Sequence, residues 1–318
     1  MKPPYEITSE ILKYIASISE KIGEISARYL IKSDPILRKQ NQIKTIHSSL
    51  SIEGNTLTEE QITAILENKR VIGPQKDIVE VLNTLEVYKD IRKFKASNEK
   101  DFLKAHKCLL KNLVQNPGEY RKQGVGIVKG TKVEHLAPPF DNVPFLMKDL
   151  FEYLKDKSEL TLIKSCVFHY DLEFIHPFID GNGRMGRLWQ TLLLMETYPI
   201  FEYLSFETLI AQNQDAYYNA LALSDKQGKS TKFIEYMLCV IDRSLQETIE
   251  SSGKKLTVEN RIALFLEQDI FEFTRKDYLS CFKEISSATA SRDLKNAVEN
   301  NLIIKIGDKK TTIYQKYK

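Results

Sequence analysis

The chain has 318 residues, an apolar fraction of 42% and a formal net charge of +3, the composition of a globular protein long enough for two domains. No stretch approaches the roughly 18 unbroken apolar residues of a membrane span, and Met1-Lys2-Pro3-Pro4 leads into a polar-interleaved helix rather than a signal-peptide core, so no membrane contact and a cytoplasmic location are expected. Charge this near balance decides nothing about a nucleic-acid partner, and Cys108, Cys166, Cys239 and Cys281, far apart and without CxxC spacing, read as reduced, buried thiols rather than metal ligands or disulfides.

Ile7, Ile11, Ile15, Ile18, Ile22, Ile25 and Tyr29 recur at steps of three and four, which predicts an amphipathic helix capped near Thr8. Ser33-Asp34-Pro35 restarts the chain with Asp34 as N-cap and Pro35 at the first helical position, and Ile36, Ile43, Ile46 and Leu50 carry that helix to Gly54. Thr58 followed by Gln61 has the form of a capping box. Amphipathic patterns follow between Gln75 and Phe94 (Ile78, Val81, Leu82, Leu85, Ile91) and over Phe102, Leu103, His106, Leu109 and Leu110, where His106 reads as a core histidine. Asn116-Pro117-Gly118 ends that run. Val125, Ile127, Thr131 and Val133, spaced by glycines ahead of Pro138-Pro139, read as a short hairpin, the one strand signal in the first 250 residues. Helices are expected from about Pro144 to Lys155 and from Leu160 to Phe174, with His169 packed inside the pair.

The second of these delivers the polar stretch His176-Pro177-Phe178-Ile179-Asp180-Gly181-Asn182-Gly183-Arg184-Met185-Gly186-Arg187. Apolar residues run up to it and resume at Leu188, Trp189, Leu192 and Leu193, so it is a loop gripped between two buried helices. Asp-Gly-Asn-Gly frees the backbone for left-handed turns, which lets successive amides converge at the start of the next helix as an anion site. Arg184 and Arg187, three apart, share a helix face and can fork onto further phosphate oxygens. Asp180 beside this nest suggests a Mg²⁺ ligand, and His176 is the candidate general base. Together these specify attack by a hydroxyl on a metal-bound nucleotide phosphate, without saying which phosphorus is attacked.

The stretch resembles the signature of the Fic family, His-Pro-Phe-x-Asp/Glu-Gly-Asn-Gly-Arg-x-x-Arg, at every position. The resemblance implies transfer of AMP from ATP to a protein hydroxyl. His176 would deprotonate the acceptor and Asp180 would hold Mg²⁺. Asn182 and the amides of Gly181, Gly183, Met185 and Gly186 would cradle phosphate, and Arg184 with Arg187 would hold the departing pyrophosphate. Upstream, Ser49-Leu50-Ser51-Ile52-Glu53-Gly54 resembles the family's inhibitory motif, Ser/Thr-x-x-x-Glu-Gly/Asn. A carboxylate at a helix C-terminus is unfavourable against the macrodipole and calls for a nearby cation; the resemblance names Arg187, which would make Glu53, with Ser49, an internal brake. Gly118-x-Tyr-Arg121 and the Val-x-Ile strand match the family's flap, which aligns an acceptor segment main chain against main chain, so Ile127, Val128, Lys129 and Gly130 would lie over the nucleotide. Tyr217 and Tyr218 sit on the helix that borders adenine and ribose in the family, at most one of them in contact with it, while Asp225 replaces an asparagine that some relatives use to read the base.

Phe233 to Ser244 reads as the last helix of this domain and Ser251-Ser252-Gly253-Lys254-Lys255 as a linker. Beyond it come a helix with Ile262, Leu264, Phe265 and Leu266, a short one after Thr274, a third from Ser286 to Asn300, and strands Leu302–Ile306 and Thr311–Tyr314 joined by Gly307-Asp308-Lys309-Lys310. This order looks like a winged helix-turn-helix whose third helix is the recognition element. From Lys254 onward the chain holds 13 Lys and Arg against 9 Asp and Glu, and the remainder 33 against 34. Asp293 and Glu299 on the reading helix oppose a DNA role, and such modules also dock proteins or dimerise.

The sequence therefore specifies a mainly α protein: an N-terminal helical region (1–100) with the inhibitory motif, a Fic-type helical bundle (101–250) with a β-hairpin flap, and a winged-helix-like domain (256–318). The expected activity is an autoinhibited adenylyltransferase that uses ATP and Mg²⁺ and acts on a protein target, itself included. Two alternatives stand beside it: a nucleotide-sensing or DNA-binding regulator, and a Fic enzyme that removes AMP. Target, acceptor type and homodimer formation are not legible.

Overall fold

The computed structural model describes residues 3–29, 35–129, 132–252, 257–266, 270–282, 285–308 and 312–316. Asp34, Gly130, Thr131, the linker residues 253–255 and the Lys309-Lys310 turn lie outside the described residues, as do the side chains of Ile127, Val128 and Lys129. The chain divides into two units, Met1–Ile249 and Glu250–Lys318. No helix among the described residues is long and apolar enough to cross a membrane.

In the first unit the helices are α1 (Ser9–Tyr29), α2 (Pro35–Ile52), α3 (Glu59–Leu66), α4 (Gln75–Lys89), α5 (Glu99–Leu109), α6 (Val143–Leu154), α7 (Thr161–Ile175), α8 (Asn182–Thr197), α9 (Glu207–Gln212), α10 (Gln214–Gln227) and α11 (Thr231–Ser252). The hairpin is β1 (Gly126–Lys129) against antiparallel β2 (Lys132–Leu136). Thr8 Oγ1 accepts from the Ile11 N–H, and Thr58 with Gln61 forms a reciprocal capping box, so the expected starts of α1 and α3 are present.

Apolar content decides which helices are central. Nearly every residue of α7 from Leu162 to Ile175 is buried, and α8 is buried from Arg184 to Leu194, as expected of helices without a solvent face. Between them Phe102 packs edge-on to Trp189 at 5.0 Å and stacks on Phe178 at 5.5 Å. A smaller core of Ile43, Ile46, Leu50, Leu57, Ile62, Ile65 and Val81 ties α2 to α3 and α4. Several expectations need correction. The last helix, expected over Phe233 to Ser244, runs on to Ser252, so Ser251 and Ser252 are helical rather than linker. The helix from Gln75 stops at Lys89 and passes into a 3₁₀ turn, Ile91–Lys93. Its buried stripe is Glu80, Val81, Asn83, Thr84 and Val87, with Leu82 left 49% exposed, because polar partners in the turn after α2, on α5 and on α8 occupy that face. Ile7 precedes the helix and is exposed. Of the four free cysteines only Cys166 is fully buried, the other three being half-buried.

In the second unit α12 (Val258–Leu266), β3 (Glu272–Phe273), α13 (Arg275–Cys281), α14 (Ser287–Glu299), β4 (Ile303–Ile306) and β5 (Ile313–Lys316) form three helices and an antiparallel sheet of order β3-β5-β4. The strands run slightly later than the apolar pattern predicted. Ile262, Phe265, Phe273, Tyr278, Leu294 and Ile303 make the core. Asp293, expected on the exposed face of α14, is 0% exposed. It lies on the stripe of Ala290, Leu294 and Ala297, is neutralised there by Arg261, with Nε–Oδ2 at 2.7 Å and Nη2–Oδ1 at 3.0 Å, and accepts from the Tyr278 hydroxyl.

Candidate functional site

The polar stretch leaves α7 through His176, whose φ of 49° and ψ of 59° put a non-glycine residue in the left-handed region. Its N–H still bonds to the Leu172 carbonyl at 2.9 Å, so it closes the helix. Three side chains hold the loop that follows. Arg121, 3% exposed, donates to the carbonyls of His176 (2.8 Å), Gln123 (2.9 Å), Ile175 (3.3 Å) and Pro138, and its N–H donates to the Pro177 carbonyl at 2.8 Å. Those of Ile175 and His176 are carbonyls that the end of α7 otherwise leaves unpaired. Asn182 folds back on Phe178, accepting from its N–H at 2.9 Å and donating to its carbonyl at 3.0 Å. His106 stacks on Phe178 with centroids 3.6 Å apart; its Nδ1 accepts from the Gly118 N–H at 2.8 Å, which leaves Nε2 as the protonated nitrogen facing the Asp180 carbonyl at 3.0 Å. Burial pushes the His106 pKa down to about 4, so it is neutral. It is a core histidine, and it also anchors the loop.

Gly181, with φ +86°, turns the chain into α8, and a Cβ there would meet Leu110 at 2.6 Å. Among the three signature glycines Gly181 is the one that uses left-handed freedom. Gly183 and Gly186 lie within α8 and serve close approach instead: a Cβ on Gly183 would sit 2.5 Å from Glu53 Oε1, and one on Gly186 2.6 Å from His169. His169 is packed as expected, bonded to Gln190 at 2.6 Å and to the Tyr217 hydroxyl at 3.0 Å. Met185 is wholly buried in the core.

The two arginines face different carboxylates. Arg187, 1% exposed, donates from Nη2 to Glu53 Oε1 at 2.7 Å and to the Ser49 carbonyl at 2.9 Å, and from Nε to the Ser49 hydroxyl at 3.0 Å. Burial opposes its charge most, but Glu53, Tyr217 and Glu173 together more than compensate and raise the pKa above its ordinary value. Arg184 donates from Nη1 to Glu80 at 3.0 Å and from Nη2 to Asp180 Oδ1 at 2.6 Å; its Nε is buried without a partner among the described residues. Burial pushes the Asp180 carboxyl up, yet Arg184 and the Gly181 N–H more than compensate and hold it below the usual carboxylate value. The Asp180 side chain remains 42% exposed. A cavity of about 400 Å³ opens against the loop, lined by Ile179, Asp180, His106, Tyr120 and Arg121.

Tyr217 is 2% exposed with its hydroxyl on His169, so of the adjacent tyrosines only Tyr218, 38% exposed, presents a ring. Asp225 accepts from the Tyr170 hydroxyl at 2.8 Å. Sequence reasoning missed Glu80 and gave no task to Arg121. The signal for Glu80 was present: Glu80, Thr84 and Val87 continue an i, i+4, i+7 stripe whose polar members imply a charged partner inside the fold.

Residues 96–194 match the family described as Fic/DOC. The chain is 30% identical over 246 residues to "Protein adenylyltransferase Fic" of Drosophila yakuba and 29% to that of Drosophila melanogaster, in each case over 73% of this chain and 47% of the relative. It thus spans about half the length of the curated relatives it matches. A crystal structure of a Fic family protein from Desulfovibrio desulfuricans G20 superposes with a TM-score of 0.76 at 39% identity, over 100% of this chain and 98% of that one. Fic-1 of C. elegans superposes with a TM-score of 0.63 at 23% identity, over 76% and 72%, a likeness of fold.

Proposed function

The chain belongs to the Fic family, and from that premise we propose that it is a protein adenylyltransferase restrained by its own Glu53. In the reaction the acceptor hydroxyl oxygen bonds to the α-phosphorus of ATP. The bond from that phosphorus to the bridging oxygen breaks, and pyrophosphate leaves. His176, at the mouth of the loop, takes the hydroxyl proton. Arg184 and Arg187 are forks for the pyrophosphate oxygens, and the unpartnered Nε of Arg184 supports an anion there. Asp180 fits a Mg²⁺ ion, being a partly exposed, ionised oxygen donor beside two cationic groups that suit phosphate. When bound, Mg²⁺ supplies charge neutralisation to the phosphates. The flap segment Ile127–Gly130 aligns the acceptor backbone, Tyr218 borders the base, and the acceptor is a hydroxyl of another protein or of the chain itself.

The observation that carries the restrained reading is the 2.7 Å pair between Glu53 and Arg187. With Nε and Nη2 engaged by Ser49 and Glu53, Arg187 can meet the γ-phosphate only alongside the Glu53 carboxylate, and ATP bound beside that negative charge is misaligned for in-line attack. Incorporation of AMP from α-labelled ATP is the test. Glu53→Gly should label itself and proteins of a lysate far more than wild type, and Glu53→Gly with His176→Ala should not label. If ATP binds and no variant incorporates AMP, the transferase reading fails. Glu53, 28% exposed beside the loop, is also placed to orient a water for the reverse task, removal of AMP; release of AMP from a labelled acceptor by wild type but not Glu53→Gly would favour it. For residues 250–318 we infer a winged helix-turn-helix that meets a polyanion. With Asp293 turned inward, Arg275, Lys276 and Lys305 border a groove of about 840 Å³ together with Ser291, Tyr314 and one acid, Asp308, so the lining carries three cations against one anion.

A further inference from the structure

The segment after the α2 helix makes a second contact near the signature loop that the Glu53 brake does not account for. Gly54, with φ +87°, turns the chain. Glu53 goes to Arg187, while Asn55, two residues on, donates from Nδ2 to Glu80 Oε2 at 2.9 Å. The other oxygen of Glu80 accepts from Arg184 Nη1 at 3.0 Å. All three members of this chain are buried, Asn55 at 9%, Glu80 at 5% and Arg184 at 4% exposure. Asn55 is itself fixed: its N–H donates to the Leu50 carbonyl, its Oδ1 accepts from the Leu57 N–H, and its Nδ2 also reaches the Asp77 carbonyl.

Arg184 is thereby held between two unlike carboxylates. Glu80 stands on a helix, buried, with its second oxygen tied down. Asp180 stands on the loop and is 42% exposed. A charge-assisted hydrogen bond between buried partners is directional, so Glu80 sets the plane of the guanidinium. A phosphate arriving at Arg184 displaces the more exposed acceptor, and Glu80 keeps the remaining fork aimed.

We propose that Glu80 is a positioning residue for the phosphates of the nucleotide, acting through Arg184 and kept in place by Asn55. This rests on the transferase reading and deepens it. Residues 49–55 then brake and build one site at once: Glu53 occupies Arg187, while Ser49 and Asn55 keep both arginines where phosphate needs them. Activation is a rotation of the Glu53 side chain, with α2 remaining in place.

The chemistry provides its own control. A glutamine at position 80 can accept from Arg184 with its oxygen, but its amide then faces the amide of Asn55, donor against donor. Changing Asn55 to aspartate supplies the missing acceptor, at the loss of the weaker bond to the Asp77 carbonyl, which Asn55→Asp alone controls for. In a Glu53→Gly background, Asn55→Ala and Glu80→Gln should each raise KM for ATP about tenfold with kcat within about twofold, and Asn55→Asp combined with Glu80→Gln should restore KM. ATP affinity by calorimetry, with His176→Ala added to prevent turnover, should follow the same order, and melting is recorded for each variant. Unchanged KM and affinity throughout would overturn the proposal, leaving Glu80 as a neutraliser of buried charge. So would a fall in melting temperature and kcat with KM unaltered, or failure of the exchanged pair to restore KM. If the Glu53→Gly protein binds ATP but transfers no AMP, it is the transferase reading that fails, and the calorimetric series still decides the role of Glu80. Absence of ATP binding would overturn both.

Discussion

Gly183 admits the Glu53 carboxylate to the loop because it carries no Cβ, and the clash an alanine would introduce falls on the far end of a movable side chain. Gly183→Ala should therefore push Glu53 off Arg187 and raise AMP incorporation above wild type, though not to the level of Glu53→Gly. Gly186 is the opposite case. Its neighbour His169 is buried and bonded at both ring nitrogens, so Gly186→Ala should cost about 1–3 kcal/mol as overpacking, seen as a lower urea midpoint. The buried histidines also make stability depend on acidity. His106 and His169 are pushed down by burial to about 4 and about 3. Both stay neutral in the folded chain, while the unfolded chain takes up their protons below about pH 6.5. Stability is thus lost as pH falls from there, by about 2 kcal/mol per histidine at pH 5. Glu207, pushed up to about 7 by burial, runs the other way and loses stability as pH rises through that value. The readout is therefore a difference: between pH 7 and pH 5 the unfolding free energy of His106→Gln should fall by about 2 kcal/mol less than that of wild type.

At the level of elements, the loop is held by side chains from segments that precede it by more than fifty residues. Arg121 satisfies carbonyls at the end of α7 and at Pro138, the residue two beyond β2. Arg121→Met should leave them unpaired and loosen residues 175–181, giving faster amide hydrogen exchange there with α8 still protected. This element also shows where sequence reading succeeds and where it stops. The helices on either side of the signature and both capping residues Thr8 and Thr58 were legible, because periodicity and local side chain–backbone bonds are written in adjacent residues. The pairing of Arg187 with Glu53 was legible only through a family resemblance, since 134 positions separate them. Glu80 was missed and Asp293 misread for one reason: a buried carboxylate looks like a solvated one until its arginine, from another helix, is known. The length of α4 was overestimated because Ile91 stays buried after the helix has ended.

For the molecule as a whole, the two units carry separate expectations. If the C-terminal unit meets duplex DNA through Arg275, Lys276 and Lys305, binding should weaken with salt at a log–log slope near about −3, and Lys305→Ala should reduce that slope by about 1; a salt-independent partner would point to protein docking. In the first unit, Arg187 is held by three acceptors and only one of them is Glu53. Losing Glu53 leaves the arginine seated on Ser49, so under the restrained reading the two forms differ at Arg187 by a single charged hydrogen bond. A bond of that kind is worth about 1.5–3 kcal/mol, which corresponds to roughly one molecule in ten to one in a hundred or fewer with the carboxylate swung away. If Glu53 restrains a transferase in this way, the protein is never silent: its resting state leaks AMP transfer in proportion to the fraction of molecules whose carboxylate has swung off Arg187, graded rather than tripped at a threshold.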